Sequence, residues 1–352
     1  MKIILANPRG FCAGVYMAVD VVDQLLDICG DEPLYVYHEI VHNRHVVDRF
    51  EDRGVVFVED VNQVPHGSIV VFSAHGVSPL LRKQARDRKL QVVDATCPLV
   101  TKVHAEAIRY ARKGYQILLI GHYDHQEVIG TMGEAPDAIQ IVESPEDIPG
   151  LYIIDPDKLV YLTQTTLSLD DANICINALK KAFPNLKSPP SEDICYATTN
   201  RQMAVQALAQ SCDLVLVVGS RNSSNSQRLR EIAEASDTPA HLIDDHNELD
   251  EAWFDGIESV LVTAGASAPE DLVKGLILHL VQRYQGVVEL HNLVDEKVEF
   301  GLPGTLKQFM RQRNVDPEGR RISMDSSKAI NAWFDENNID HQTVDLTVGA
   351  TS

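Results

Sequence analysis

LQVVDATCPLVTKVHAEAIRYARKG, residues 90–114, decides how this chain is read. A short apolar strand leads to Cys97, and Pro98 follows at once. Proline suits the first position of a helix, where its missing N–H leaves nothing unsatisfied, so an amphipathic helix begins there. The order strand, cysteine, helix occurs twice more. KIILANPRGFCAGVYMAVDVVDQLL (2–26) carries Cys12, and EDICYATTNRQMAVQALAQ (192–210) carries Cys195, with Thr198 or Thr199 expected to cap the helix that follows.

The register continues beyond each cysteine. A second strand ending in a polar loop comes next: LYVYHEIVHN (34–43), ILLIGHYDHQEV (117–128) and LVLVVGSRNSSNS (214–226). These loops carry His42; His125 with Glu127; and Ser223, Ser224 and Asn225. After a helical stretch, a short strand turns acidic in VVFVEDVNQVP, IQIVESPEDIP and HLIDDHNELD. Each copy closes on a strand running into small polar residues: SIVVFSAHGVS, LVYLTQTTLS and SVLVTAGASAP, with His75, Thr165 and Ser267. The second-loop group lies 28 to 30 residues beyond its cysteine and the last group 63 to 72 residues beyond. Apolar strands alternating with helices imply parallel βαβ units, and open parallel sheets bind ligands past the carboxyl ends of their strands. The expected fold is α/β: three similar small parallel-sheet units of roughly 85 to 100 residues around a pseudo-threefold axis, facing one cavity. The boundaries read as 1–96, 97–193 and 194–300, with a C-terminal extension over 301–352 whose role the sequence leaves open.

Composition agrees with several compact units, since 352 residues at 44% hydrophobic exceed one typical core. No apolar run is long enough for a signal-peptide core or a membrane span, so a cytoplasmic protein without membrane partners is expected. A formal charge of −20 disfavours nucleic acid and anionic membranes and points to small molecules or proteins as partners. Six cysteines without a CxxC pair fit neither a disulfide framework nor thioredoxin chemistry. Cys29, Cys175 and Cys212 sit in apolar stretches and read as small buried hydrophobes.

Cys12, Cys97 and Cys195 read differently. At a helix amino terminus the helix dipole is expected to lower a thiol's pKa and favour the thiolate that metals need. Zinc usually takes four ligands, often in close-spaced pairs, whereas these cysteines are 85 and 98 residues apart. A central [4Fe–4S] cluster fits better, with three irons on cysteine and the fourth free of protein ligands; loss of that iron would give a [3Fe–4S] form. The shared cavity would also collect His42, His75, His125, Glu127, Thr165, Ser223, Ser224, Asn225 and Ser267, with no lysine or arginine among them. Imidazoles, hydroxyls, an amide and backbone N–H groups at helix starts make a cradle for phosphate, although Ser and Asn there also serve as plain helix caps. Glu127, partly buried near a redox centre, is the candidate proton donor, and Thr165 can pass a proton or orient a hydroxyl.

The motifs ANPRGFCAGV, HEIVHNR, FSAHGVS, DATCPLVTKVH, GH…H.E with GTMG, TQTTLS, DICYATTNRQ, VVGSRNSSNS and TAGASAP cover about three quarters of the chain. In this order they resemble the 4-hydroxy-3-methylbut-2-enyl diphosphate reductase family of the non-mevalonate isoprenoid pathway. The resemblance implies an oxidoreductase that removes the allylic hydroxyl from its diphosphate substrate with two electrons, giving isopentenyl and dimethylallyl diphosphates. It implies that Cys12, Cys97 and Cys195 hold the cluster. His42, His75, His125, Thr165, Ser223, Ser224, Asn225 and Ser267 would bind substrate or line its pocket, and Glu127, with Thr165 and His125, would form the catalytic set. With no GxGxxG fingerprint, electrons must come from outside, and a ferredoxin or flavodoxin is the implied donor. The chain departs from the family in having Tyr16 and Met17 after GFCAGV, where an arginine is common, and its last fifty residues match no family motif. Two other classes keep the same cysteines: an open-iron hydro-lyase, which needs no electron donor, and a non-enzymatic cluster sensor, which needs no anion pocket. A purely structural or zinc-bound protein is separated from all of these by metal content.

Overall fold

The computed structural model describes residues 1–317, 321–322 and 326–346; part of the RQRNVDPEGRR stretch and residues 347–352 lie outside the described residues. Three parallel sheets dominate. The first holds, in spatial order, Val56–Val58, Leu34–Tyr37, Ile69–Phe72 and Gln91–Asp94. The second holds Ile139–Val142, Gln116–Ile120 and Leu159–Thr163. The third is larger: Ala240–Ile243, Leu214–Val218, Ser259–Ala264, Lys2–Asn7, Val287–Asn292 and His341–Asp345. The expectation of three small parallel-sheet α/β units is met. Strands such as Ile69–Phe72 and Leu214–Val218 are buried along their whole length, which is why they read as unbroken apolar runs.

Each cysteine-led helix packs on the sheet that follows it in sequence. Ala13–Cys29 lays Val22 and Leu25 on Val36 and Val71 of the first sheet. Pro98–Arg112 lays Val103 and Ala107 on Ile117 and Leu119 of the second, and Tyr196–Leu208 lays Ala204 and Val205 on Val215 and Val217 of the third. The strands before Cys97 and Cys12 belong to a different sheet from the one their helices cover. Gln91–Asp94 is the edge of the first sheet, and Lys2–Asn7, first in the chain, lies inside the third between Ser259–Ala264 and Val287–Asn292.

The third copy departs from the expected pattern. No strand forms before Cys195; the segment makes one isolated parallel bridge, Val160 with Lys187. Pro189 and Pro190 follow after Ser188 and offer no N–H to a ladder. Nor do Thr198 and Thr199 cap the next helix. Cys195 is itself the N-cap, and its sulfur accepts the Thr198 amide at 3.4 Å.

The C-terminal extension packs on the body. Leu306, Phe309 and Met310 of the helix Gly304–Gln312 join the core of the first sheet. The amphipathic helix expected after Asp325 forms as Ser326–Glu336 and buries Ile330 and Phe334, one turn apart, in the core of the third sheet. Phe334 is 0% exposed, so Phe334→Ala should cost about 3 to 5 kcal/mol of unfolding free energy, read as a lowered midpoint in denaturant; a loss under about 1 kcal/mol would mean that the extension is not part of the folded core.

Candidate active site

The three cysteines occupy equivalent places because the backbone suspends them alike. Each begins a helix, and each amide donates to a carbonyl at the end of the preceding sheet: Cys12 to Ala266 at 3.2 Å, Cys97 to Ala74 at 3.0 Å and Cys195 to Thr165 at 3.1 Å. All three side chains line one cavity with about 660 Å3 of space free of protein atoms. His42, His75, His125, Glu127, Thr165, Ser223, Ser224, Asn225 and Ser267 line it too, so every site residue singled out in the sequence faces the same space.

The thiols do not behave as their helix positions suggest. Burial pushes the Cys12 thiol up despite the nearby Arg201 charge, and it pushes Cys195 up to about 11 against the Thr198 hydrogen bonds. Cys97 is raised further by burial and by the other two sulfurs. Desolvation outweighs the helix terminus, which corrects the expected acidification. The geometry nonetheless fits a polynuclear metal group. A Cβ on Gly14 would stand 2.6 Å from the Cys97 sulfur and 3.9 Å from that of Cys12, so the absence of a side chain there keeps open a hole that both sulfurs face. Three part-buried thiols that repel one another as thiolates need a compensating cation to ionise, and soft sulfur suits iron. Among the described residues, no three His, Cys, Asp or Glu side chains are set to hold a single metal ion.

Three imidazoles line the same cavity. His42 and His75 stack with centroids 3.9 Å apart, and His125 meets them edge-on at 5.8 and 6.3 Å. His125 caps its own helix: its Nδ1 accepts the Glu127 amide at 3.2 Å, which leaves the proton on Nε2. Burial, then the charges of His42 and His122, bring its pKa down to about 3, and burial drives His75 well down too. Both are neutral donors.

Glu127 is 6% exposed, and its carboxylate accepts the Thr165 hydroxyl at 2.9 Å and the Thr165 amide at 3.0 Å. Burial raises its pKa although these hydrogen bonds oppose the shift. Ser223 caps the helix Ser224–Ala235 by accepting the Ser226 amide, which is the bland role its sequence allowed. Asn225 does more: its Oδ1 takes the Ala266 amide at 2.8 Å, while its buried Nδ2 has no partner and is a donor in reserve. Ser224 reaches the Thr166 carbonyl at 3.4 Å, and the Ser267 hydroxyl donates to the His42 carbonyl at 2.8 Å, joining the first and third units.

Sequence reading missed four residues that shape this cavity. Gly14 is an unfavourable choice in a first helical turn, and that was its available signal. Thr198 sits three residues after a cysteine, the spacing of an N-cap contact. Thr166 adjoins Thr165 in the wall, and Glu39 reaches His42 from within HEIVHNR.

The LytB protein family model matches residues 3–281. The 4-hydroxy-3-methylbut-2-enyl diphosphate reductase of Mycolicibacterium vanbaalenii is 51% identical over 307 residues, 87% of this chain and 91% of that protein. The enzyme of the same name from Rhodopirellula baltica is 52% identical over 313 residues, 89% of this chain and 98% of its own. Among solved structures, the E-1-hydroxy-2-methyl-but-2-enyl-4-diphosphate reductase of Plasmodium falciparum superposes with a TM-score of 0.86 at 39% identity, covering 89% of this chain and 99% of that one. On these matches the chain belongs to the LytB protein family.

Proposed function

We propose that the chain is a reductase that removes the hydroxyl group of 4-hydroxy-3-methylbut-2-enyl diphosphate, the last step of the non-mevalonate isoprenoid pathway. The observation that carries this reading is the single cavity lined by three part-buried cysteines together with imidazole, amide and hydroxyl groups. In the balanced reaction two electrons and two protons enter, the allylic C–O bond breaks, a C–H bond forms and water leaves, giving isopentenyl or dimethylallyl diphosphate. Cys12, Cys97 and Cys195 would hold a [4Fe–4S] cluster, which supplies the electrons and a Lewis-acidic iron free of protein ligands.

The remaining chemistry belongs to the side chains. His75 and His125, with His42, Ser223, Ser224, Asn225 and Ser267, surround the diphosphate; the His125 Nε2–H and the unpartnered Asn225 amide are donors ready for phosphate oxygens. Glu127 keeps a proton at higher pH than an exposed carboxyl does, and Thr165, 2.9 Å away, relays it toward the departing hydroxyl. The apolar wall of Val15, Val41, Leu99 and Val100 keeps water from the allyl group. Electrons are delivered by a ferredoxin- or flavodoxin-type carrier. The protein works in the cytoplasm, where its six unpaired thiols remain reduced; among the described residues no helix is long and apolar enough to cross a membrane.

The deciding experiment is anaerobic purification followed by iron, sulfide and zinc analysis, Mössbauer spectroscopy and turnover with reduced viologen. About four irons and four sulfides per chain, with one iron site perturbed by substrate and both products formed, are expected. Zinc or no metal would overturn the proposal, and water loss without an electron donor would make the protein a hydro-lyase.

Glu127→Gln should lower kcat by about 10²- to 10⁴-fold with little change in KM. The same variant tests the burial of the acid. A carboxyl whose pKa is raised on folding contributes stability below its unfolded pKa and loses it as pH rises through the folded value. Glu127→Gln should therefore melt above the parent at neutral pH, with the gap closing toward pH ~4; a gap that does not depend on pH would refute the raised pKa.

A further inference from the structure

Glu39 lies outside the cavity wall, yet it joins two of the units that form it. Its Oε2 is 3.1 Å from Nδ1 of His42, and the same oxygen accepts Nδ2 of Asn222 at 2.8 Å. Asn222 precedes Ser223 in the third unit, while Glu39 and His42 belong to the first. Burial alone would raise the Glu39 carboxyl, but the hydrogen bonds from His42 and Asn222 oppose it, and the carboxyl lies below its ordinary range. Glu39 is thus an ionised acceptor, and Nδ1 of His42 must carry a hydrogen toward it.

That constraint decides what His42 offers the cavity. A neutral imidazole has one N–H, so with Nδ1 committed to Glu39 the remaining Nε2 presents a lone pair, which repels an anionic oxygen. Only the imidazolium donates at both nitrogens. The groups facing His42 are Glu39 and His38 from its own loop, His75 stacked on it, His125 edge-on, and Glu127, whose carboxyl senses the His42 charge. Of the three imidazoles in the wall, only His42 has a carboxylate partner among its hydrogen bonds: His125 uses Nδ1 for the Glu127 amide, and His75 Nδ1 lies 3.3 Å from the Ser73 hydroxyl. Those two serve an anion without gaining a proton.

We propose that Glu39 is a positioning residue that obliges His42 to take an anion in its doubly protonated form, so that capture of the diphosphate is coupled to uptake of one proton. This rests on the diphosphate reading of the cavity. It gives a pocket without lysine or arginine in its wall a positive charge that appears with the ligand, and Asn222 carries the same carboxylate's hold across to the loop of Ser223, Ser224 and Asn225.

The test is calorimetric titration of the anaerobically purified holoprotein with inorganic diphosphate, in buffers of different ionisation enthalpy at one near-neutral pH. The unaltered protein should take up about one proton more per diphosphate than Glu39→Gln, because a glutamine amide can donate to Nδ1 and leave a neutral Nε2–H for the anion. The Glu39 side chain is 35% exposed, so this near-isosteric change leaves the fold intact. The ratio of the two affinities should also change by up to about tenfold per pH unit. Asn222→Ala keeps the carboxylate and should keep the proton uptake. Equal uptake in parent and Glu39→Gln overturns the inference, as does loss of uptake in Asn222→Ala, which would trace the effect to loop packing. No binding of diphosphate to the parent would instead overturn the underlying reading and this inference with it.

Discussion

The structure hangs on one repeated hydrogen bond, from the amide of a cysteine to a carbonyl at the end of the preceding sheet. Cys12 to Ala266, Cys97 to Ala74 and Cys195 to Thr165 each tie the start of one unit to the finish of another. Because the acceptor lies in or beside the residue that supplies a wall side chain, the same contact that sets a sulfur also sets its polar neighbour: Ser267, His75 and Thr165 in turn. Displacing any one of these carbonyls would move a sulfur and a donor together. The cavity is therefore a joint between units and does not lie inside any of them.

The electrostatics of that joint run against the character of the molecule. In a chain with a net charge of −20, the cavity wall is built from imidazoles, an amide, hydroxyls and one carboxyl, with no lysine or arginine among them. Arg201 illustrates the division. It is fully buried and pairs with Glu296 at 3.0 Å, and it donates to the Gly10 carbonyl near Cys12, where its charge acts on the sulfur from outside the pocket wall.

Much of this was legible in the chain because the signals were local. Buried parallel strands read as apolar runs, and the spacing from each cysteine to its two polar loops survived three times over. What escaped depended on distance or burial. Pro189 and Pro190 stripped the third copy of its strand, though the flanking pattern still resembled one. The thiols of Cys97 and Cys195 looked acidic at their helix starts, and only the closed cavity shows that desolvation wins. Glu39 was not singled out, because its second partner, Asn222, lies in another unit. Sheet membership of Lys2–Asn7 was equally hidden, since parallel pairing leaves no mark near either strand.

The placement of that first strand has a consequence for how the protein is made. Lys2 is in register with Ser259 on one side and Asn7 with Asn292 on the other, so this strand is central to a sheet whose other members are synthesised long after it. A chain emerging from the ribosome can close the first two sheets from nearby residues, while the strand Lys2–Asn7 has both edges unpaired until its partners are made. Cys12 waits with it. The carbonyl that holds the Cys12 amide belongs to Ala266, so the three sulfurs are set together only after that residue is made, and the loading of any metal group is deferred with it.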